Sequence, residues 1–246
     1  MIEARSLTRR FGELTAVDDL SFAVAPGEVL GFLGPNGAGK TTTMRLLTGF
    51  LAPSSGEARV FGHDVERAPR QARAALGYLP EGAPAWEEMT VRELLAFVAR
   101  VRGIAPAARR VRLDHVVERL GLAPVLDRRI ETLSKGFRRR AGLAQAMLHD
   151  PAALVLDEPT DGLDPNQKHE VRGLIREMAR DKVIIVSTHI LEEVEAVCTR
   201  AIIIAGGRLV LDDTPQGLAA RAGTDGPTAA RIDAAFRALT AGAGHA

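Results

Sequence analysis

Residues 34–42 most constrain this chain: Gly34, Asn36, Gly37, Ala38, Gly39, Lys40, Thr41 and Thr42 lie between the apolar run Val29–Leu33 and the helix-prone Met44, Arg45, Leu46 and Leu47. The spacing is G-x-x-x-x-G-K-T with a strand expected before it and a helix after it, which is the context of a loop that cradles a nucleoside triphosphate. Glycines let the backbone close around phosphate, successive N–H groups and a helix N-terminus face the anion, and Lys40 adds a point charge. The Thr41 hydroxyl is then placed to ligate Mg²⁺.

The chain has 246 residues, 46% hydrophobic and 26% charged, which suits a folded domain with a large core and excludes disorder as the main state. Its net charge of +1 gives no electrostatic argument for a nucleic-acid partner. The single Cys198 cannot form an internal disulfide, and a small buried apolar role is expected for it. No apolar run approaches the roughly 20 residues that span a bilayer, and the N-terminus lacks a signal-peptide core. A membrane role is therefore expected to run through another chain.

Short apolar runs alternate with helical periodicity, the pattern of an α/β fold with a mainly parallel sheet. The strand candidates are Val29–Leu33, 153–156, Val183–Ser187 and 201–205. Before them, Val17, Leu20, Phe22 and Val24 partly alternate with polar residues, and residues 53–56 read as a turn between strand-like pieces, giving an N-terminal antiparallel β-subdomain. Between Glu87 and Gly121, Val91, Leu94, Leu95 and Val98, then Leu113, Val116, Val117 and Leu120, recur at helical spacing. An inserted α-helical subdomain is expected, its two helices separated by residues 103–106.

The second half of the site comes far downstream. Asp157 and Glu158 end the run Leu154, Val155, Leu156, at the edge where open α/β sheets bind ligands. Successive strand residues point in opposite directions, so the pair can divide labour. Asp157 is expected to hold Mg²⁺, and Glu158 to orient and polarise the attacking water.

With these elements the chain closely resembles the ATP-binding subunits of ABC transporters over nearly all its length. Residues 34–42 and 154–158 match the family's Walker A and Walker B motifs. Leu133, Ser134, Lys135, Gly136 and Phe137 resemble its signature. Asp161, Gly162, Leu163 and Asp164 resemble the D-loop, and Ser187, Thr188 and His189 the switch histidine. All five stand in family order. The signature form and Leu79, Pro80, Glu81 are most similar to ATPases that drive ABC-2 type exporters, including the copper-processing and gliding-associated branches.

The resemblance implies a P-loop NTPase core, divided as 1–80 (β-subdomain and Walker A core), 81–132 (helical subdomain, continuing into the signature helix to about 148), 149–211 (Walker B and switch core) and 212–246 (a C-terminal appendage). It implies ATP and Mg²⁺ as ligands. Two copies are expected to sandwich ATP head to tail, Ser134, Lys135, Gly136 and Phe137 completing the partner's site and Asp164 crossing the interface. Physically, Ser134 marks a helix N-terminus whose free N–H groups attract an anion. Glu158 and His189 would be the catalytic pair, His189 sensing the γ-phosphate. Phe11 stands where the family keeps an adenine-stacking aromatic residue, and Glu81 where most members carry Gln, leaving a carboxylate that can still ligate Mg²⁺.

Other features are less specific. Three cations, Arg138, Arg139 and Arg140, near a helix N-terminus oppose its dipole. A solvated face is the favoured reading for Arg139, where relatives commonly carry Gln. Arg138 and Arg140 match the family pattern and are expected to pair with nearby acids, nucleic-acid binding being a third reading. His63, His115, His149 and His169 have no metal-site spacing. Residues 82–86 read as a mobile connector into the helical region, and Trp86 as either a contact with a membrane subunit or intradomain packing. The resemblance implies a transmembrane permease partner and a place on the cytoplasmic face of the membrane. The alternative is a soluble ABC-type switch, against which the single cassette and short insertion count.

Overall fold

Three runs with every residue buried become the inner strands: β3 (Val29–Leu33), β7 (Ala153–Asp157) and β8 (Val183–Ser187). Such continuous apolar runs belong in a parallel sheet covered on both faces. With β6 (Leu76–Leu79), β9 (Arg200–Ala205) and β10 (Arg208–Asp213) they form a six-stranded sheet in the order β10-β9-β3-β8-β7-β6. Only β10 runs antiparallel to its neighbour. The computed structural model describes residues 1–82, 86–222 and 226–240.

A second, antiparallel sheet of β1 (Ile2–Phe11), β2 (Leu14–Val24), β4 (Ser55–Val60) and β5 (His63–Asp64) has the order β2-β1-β4-β5. Val17, Leu20 and Val24 of β2 are fully buried against Ile2, Leu7, Leu30 and Phe32, so this sheet wraps one face of the first. The expected turn at residues 53–56 does not join two strands. It leads from α1 (Lys40–Leu47) into β4, and Gly56 is there because a Cβ would lie 2.1 Å from the Ser6 carbonyl oxygen.

The other face carries the helical region. Helix α3 (Val91–Val101) starts with a reciprocal cap between Thr90 and Glu93. It is followed by α4 (Pro106–Arg119), α5 (Lys135–Met147) and, after β7, α6 (Pro165–Met178). Leu94, Leu95, Val116, Leu143 and Leu174 share one core with Leu154, Leu156 and Ile184 of the sheet. A short α2 (Pro69–Ala74) precedes β6. The sequence reading missed β6, which is four residues long and interrupted by Gly77, where a Cβ would lie 2.2 Å from the Ala146 carbonyl oxygen of α5.

The C-terminal segment corrects the expectation of an appendage beginning at 212. Strand β10 runs through that position, and α7 (Leu191–Val197), α8 (Pro215–Ala220) and α9 (Thr228–Thr240) enclose a third core. Ile232 is 0% exposed there, beside Leu33, Val194 and Ile203. Burying such a side chain contributes roughly 1.5–3 kcal/mol, so α9 is an integral layer. Of the connector and tail, positions 83–85, 223–225 and 241–246 lie outside the described residues. No helix of the described residues is long and apolar enough to cross a membrane.

His149, just beyond α5, ties that helix to β6: Nε2 is 3.1 Å from the Leu76 carbonyl oxygen, and Nδ1 is buried without a partner. Burial, aided by the Arg102 charge, pushes its pKa down from 6.5 to about 4. Between those values the unfolded chain binds the proton and the folded chain does not, so acidification from pH 6.5 to 4 removes stability, by up to roughly 3 kcal/mol. In urea titrations across that range, His149→Gln is expected to lose less stability on acidification than the native protein. Parallel pH profiles would contradict this account.

Candidate functional site

The loop between β3 and α1 is shaped by close approach. Gly37 and Gly39 have φ of 80° and 101°, in the left-handed region that glycine tolerates. A Cβ at Gly39 would lie 2.3 Å from the Ala16 carbonyl oxygen, and one at Gly34 2.6 Å from that of Ile204. Gly39 is also the N-cap of α1 and provides no side-chain acceptor, so the first-turn N–H groups have no cap of that kind. Together with the macrodipole they favour a negative charge at the start of α1, beside Lys40, Thr41 and Thr42. Asn36 and Gly37 are exposed at the loop tip, Ala38 is buried beneath it, and Thr41 and Thr42 are half-buried. Thr43 instead turns back to donate to the Gly39 carbonyl oxygen at 2.9 Å.

Lys40 Nζ donates to the carbonyl oxygens of Gly34 at 2.7 Å and Pro35 at 3.0 Å. Burial holds its pKa below the usual lysine value, while Glu158, Asp157 and Glu81 act in the opposite sense. The three carboxylates named from the sequence are therefore close enough for their charge to act on the loop lysine. Glu81 itself is exposed, one residue after Pro80.

Asp157 ends β7 opposite Ser187 in the parallel register with β8 and is 2% exposed. Ser187 Oγ donates to its Oδ1, whereas Oδ2 is buried with no protein partner. A buried carboxylate oxygen left in this way is costly unless a cation meets it. This donor set fits Mg²⁺, which takes one or two carboxylates and completes its shell from substrate phosphates and water. Among the described residues no cluster of three His, Cys, Asp or Glu side chains forms a self-sufficient metal cage.

Glu158 departs from the sequence argument. It lies past the end of β7 with φ 52°, so strand alternation does not set its direction. Its N–H donates to the Ser187 carbonyl oxygen at 3.0 Å, and its Oε1 is 2.9 Å from His189 Nδ1. Glu158 is half-buried and His189 exposed, placing the pair at the rim of the sheet.

Ser134 is the N-cap of α5, its Oγ accepting from the Phe137 N–H at 3.3 Å. Ser134 and Lys135 are exposed, Gly136 is buried and Phe137 half-buried under the Arg140 guanidinium, whose carbon lies 4.3 Å from the ring centre. Lys135 pairs with Asp161 at 2.8 Å. The exposed Asp164 caps α6, its Oδ1 accepting from the Gln167 N–H at 2.9 Å. Phe11, at the end of β1, is 46% exposed with the Arg9 guanidinium 4.6 Å from its ring centre.

The arginine triad corrects the sequence reading. Arg139 is 4% exposed rather than solvated: Nε donates to the Glu158 carbonyl oxygen at 2.9 Å, one terminal nitrogen to that of Pro80 at 2.9 Å, and the other to those of Asp157 and Glu158. Charge-assisted bonds contribute roughly 1.5–3 kcal/mol each, enough together to offset the several kcal/mol that burying the cation costs. Arg140 is also buried and donates to the Leu120 carbonyl oxygen at 3.0 Å, and Arg138 reaches the Glu131 carbonyl oxygen at 3.4 Å, so both contact main chain where acids were expected.

Sequence reasoning also missed Glu193 of α7, 4% exposed, which accepts from Thr160 and, at 2.8 Å, from Thr188, with Arg172 at 3.5 Å. It joins the segment after Glu158 to the one before His189. The only local signal was a carboxylate at a core-facing position of a helix.

The ABC transporter family profile matches residues 17–161. The chain is 42% identical over 220 residues to Nod factor export ATP-binding protein I of Paraburkholderia xenovorans (strain LB400), covering 89% of this chain and 72% of that protein. It is 36% identical over 237 residues to the Probable multidrug ABC transporter ATP-binding protein YbhF of Escherichia coli (strain K12), covering 96% of this chain but 41% of the longer relative. Among solved structures, an ATP-binding subunit of an ABC transporter superposes with a TM-score of 0.88 at 28% identity, over 97% of this chain and 99% of the other. A dimeric, post-hydrolysis ATP-binding cassette bound to ADP and Pi shares the fold, with a TM-score of 0.81 at 19% identity over 87% and 98%. The chain belongs to the ABC transporter family.

Proposed function

We propose that this chain is the ATP-binding and ATP-hydrolysing subunit of an exporter, and that it dimerises on ATP to drive a separate membrane-spanning permease from the cytoplasmic face. One observation carries the reading: Asp157 is buried at the end of β7 with one of its oxygens unpartnered, and its charge, with those of Glu158 and Glu81, reaches the loop lysine. A triphosphate with its metal answers both charges. The names of the relatives, Nod factor export and multidrug transporter proteins, support an exporter.

In this reading Lys40 and the first-turn N–H groups of α1 hold the terminal phosphates, with residues 34–42 wrapped around them and Phe11 stacked on adenine. Thr41, Asp157 and Glu81 would hold Mg²⁺, which would supply charge neutralisation on the phosphates. Glu158 takes the attacking water in a hydrogen bond and polarises it. His189, held through Nδ1 by Glu158, keeps Nε2 free for the terminal phosphoryl group. Such hydrolysis is mainly positioning plus charge stabilisation. A second copy completes each site, its exposed Ser134 and Lys135, with Gly136 and Phe137, meeting the γ-phosphate at the N-terminus of α5, and Asp164 reaching across.

Glu158→Gln is expected to keep ATP binding, lower turnover by about 10²- to 10⁴-fold and accumulate a closed dimer in Mg-ATP. Light scattering of the ATP-loaded variant, beside a turnover assay, checks this; native turnover or a strictly monomeric protein would count against it. Lys40→Ala should instead weaken nucleotide binding itself, read by titration with a fluorescent ATP analogue. Trp86 is 57% exposed and meets Phe97 edge-on at 5.0 Å. Its emission should shift when the copurified permease is added, and an unchanged spectrum would place the permease contact elsewhere.

A further inference from the structure

We propose that Arg139 is a positioning residue for hydrolysis: its guanidinium holds the main chain of Glu158 in the one conformation that aims the carboxylate at the attacking water. The proposal rests on the reading of Glu158 given above.

The geometry is that of a clamp. The buried fork of Arg139 meets only main-chain oxygens, those of Pro80 after β6 and of Asp157 and Glu158 at the tip of β7. A planar guanidinium can serve acceptors on two strand ends at once, whereas an ammonium is a single point charge. Glu158 has φ 52°, a conformation that L residues other than glycine adopt rarely because Cβ crowds the following carbonyl. It is held from both sides, its N–H bonded to Ser187 of β8 at 3.0 Å and its carbonyl to Arg139 of α5 and, within the following turn, to the Asp161 N–H at 3.1 Å. Without Arg139 the carbonyl keeps only the local turn bond from Asp161, which lets the Glu158 backbone relax toward an ordinary conformation, swinging Cβ and carrying Oε1 away from His189 Nδ1, now 2.9 Å distant.

Helix α5 also begins with residues 134–136. A shift of that helix is therefore transmitted to Glu158 through one side chain, and the face offered to a second copy is tied to the residue that handles the water. Burial lowers the Arg139 pKa and the charges of Asp161, Asp157, Glu158 and Glu81 act against that; a guanidinium keeps its charge in a protein in any case.

The test uses the purified full chain with Arg139→Lys, Arg139→Met and Arg139→Gly. Nucleotide affinity, read with a fluorescent ATP analogue, is expected to stay within about threefold of native. A displacement of around 1 Å at the reacting groups costs about 10²-fold, so kcat should fall by about 30- to 100-fold in all three variants, with KM nearly unchanged. Guanidinium ion at low millimolar concentration should restore part of kcat to Arg139→Gly and none to Glu158→Gln. A kcat within about twofold of native in Arg139→Lys or Arg139→Met would overturn the proposal. So would a joint loss of affinity, melting temperature and kcat with no guanidinium rescue, which marks a purely structural role. Glu158→Gln separates the two levels: native turnover there removes the reading of Glu158, whereas its loss beside native turnover in Arg139→Met removes the Arg139 assignment alone.

Discussion

Burial of the Asp157 charge at the tip of β7 organises the rest of the site. A carboxylate at 2% exposure needs partners on both oxygens, and the fold gives it only one, the Ser187 hydroxyl opposite it on β8. The other oxygen has no protein donor, although Lys40 and Arg139 are both close enough to be affected by its charge. Lys40 is turned to the loop carbonyls and Arg139 to the main chain of residues 80, 157 and 158. The protein thus holds its cations off the carboxylate and leaves one of its oxygens without a protein donor.

The same economy of partners appears around it. The loop at residues 34–39 offers main-chain donors because glycine at its N-cap provides no side chain to satisfy them. Glu193 joins Thr160 and Thr188, so the turn after Glu158 and the turn before His189 share one buried acceptor. Helix α9, packed on α7 through Ile232 and Ala235, supports that arrangement from behind. Turns that would otherwise be independent loops are bound into one unit, which a site relying on positioning requires.

The parts of this molecule readable in advance were those set by neighbours in the chain. Largely apolar runs located β3, β7 and β8, and helical spacing located α3 and α4. Strand β6 escaped because a run of four with a central glycine carries too little period, and that glycine answers to α5, a remote helix. Glu158 was read as a strand residue because its neighbours are strand residues. Its left-handed backbone reflects bonds to β8 and α5.

What the sequence alone determined was the glycine-rich loop before α1, the acidic end of β7, the Ser134 cap and the family, since glycine conformation, capping and apolar periodicity all act within a few residues. Only the tertiary structure decided that Arg139 is buried, that Ser187 holds Asp157 and that the last helix belongs to the core. Each of these depends on groups separated by tens of residues that parallel strand pairing and helix packing bring within hydrogen-bond reach. The physical reason is that burial and hydrogen-bond partnership are properties of distance in space, and a cation beside a helix start reads the same whether it ends in water or beneath three carbonyl oxygens.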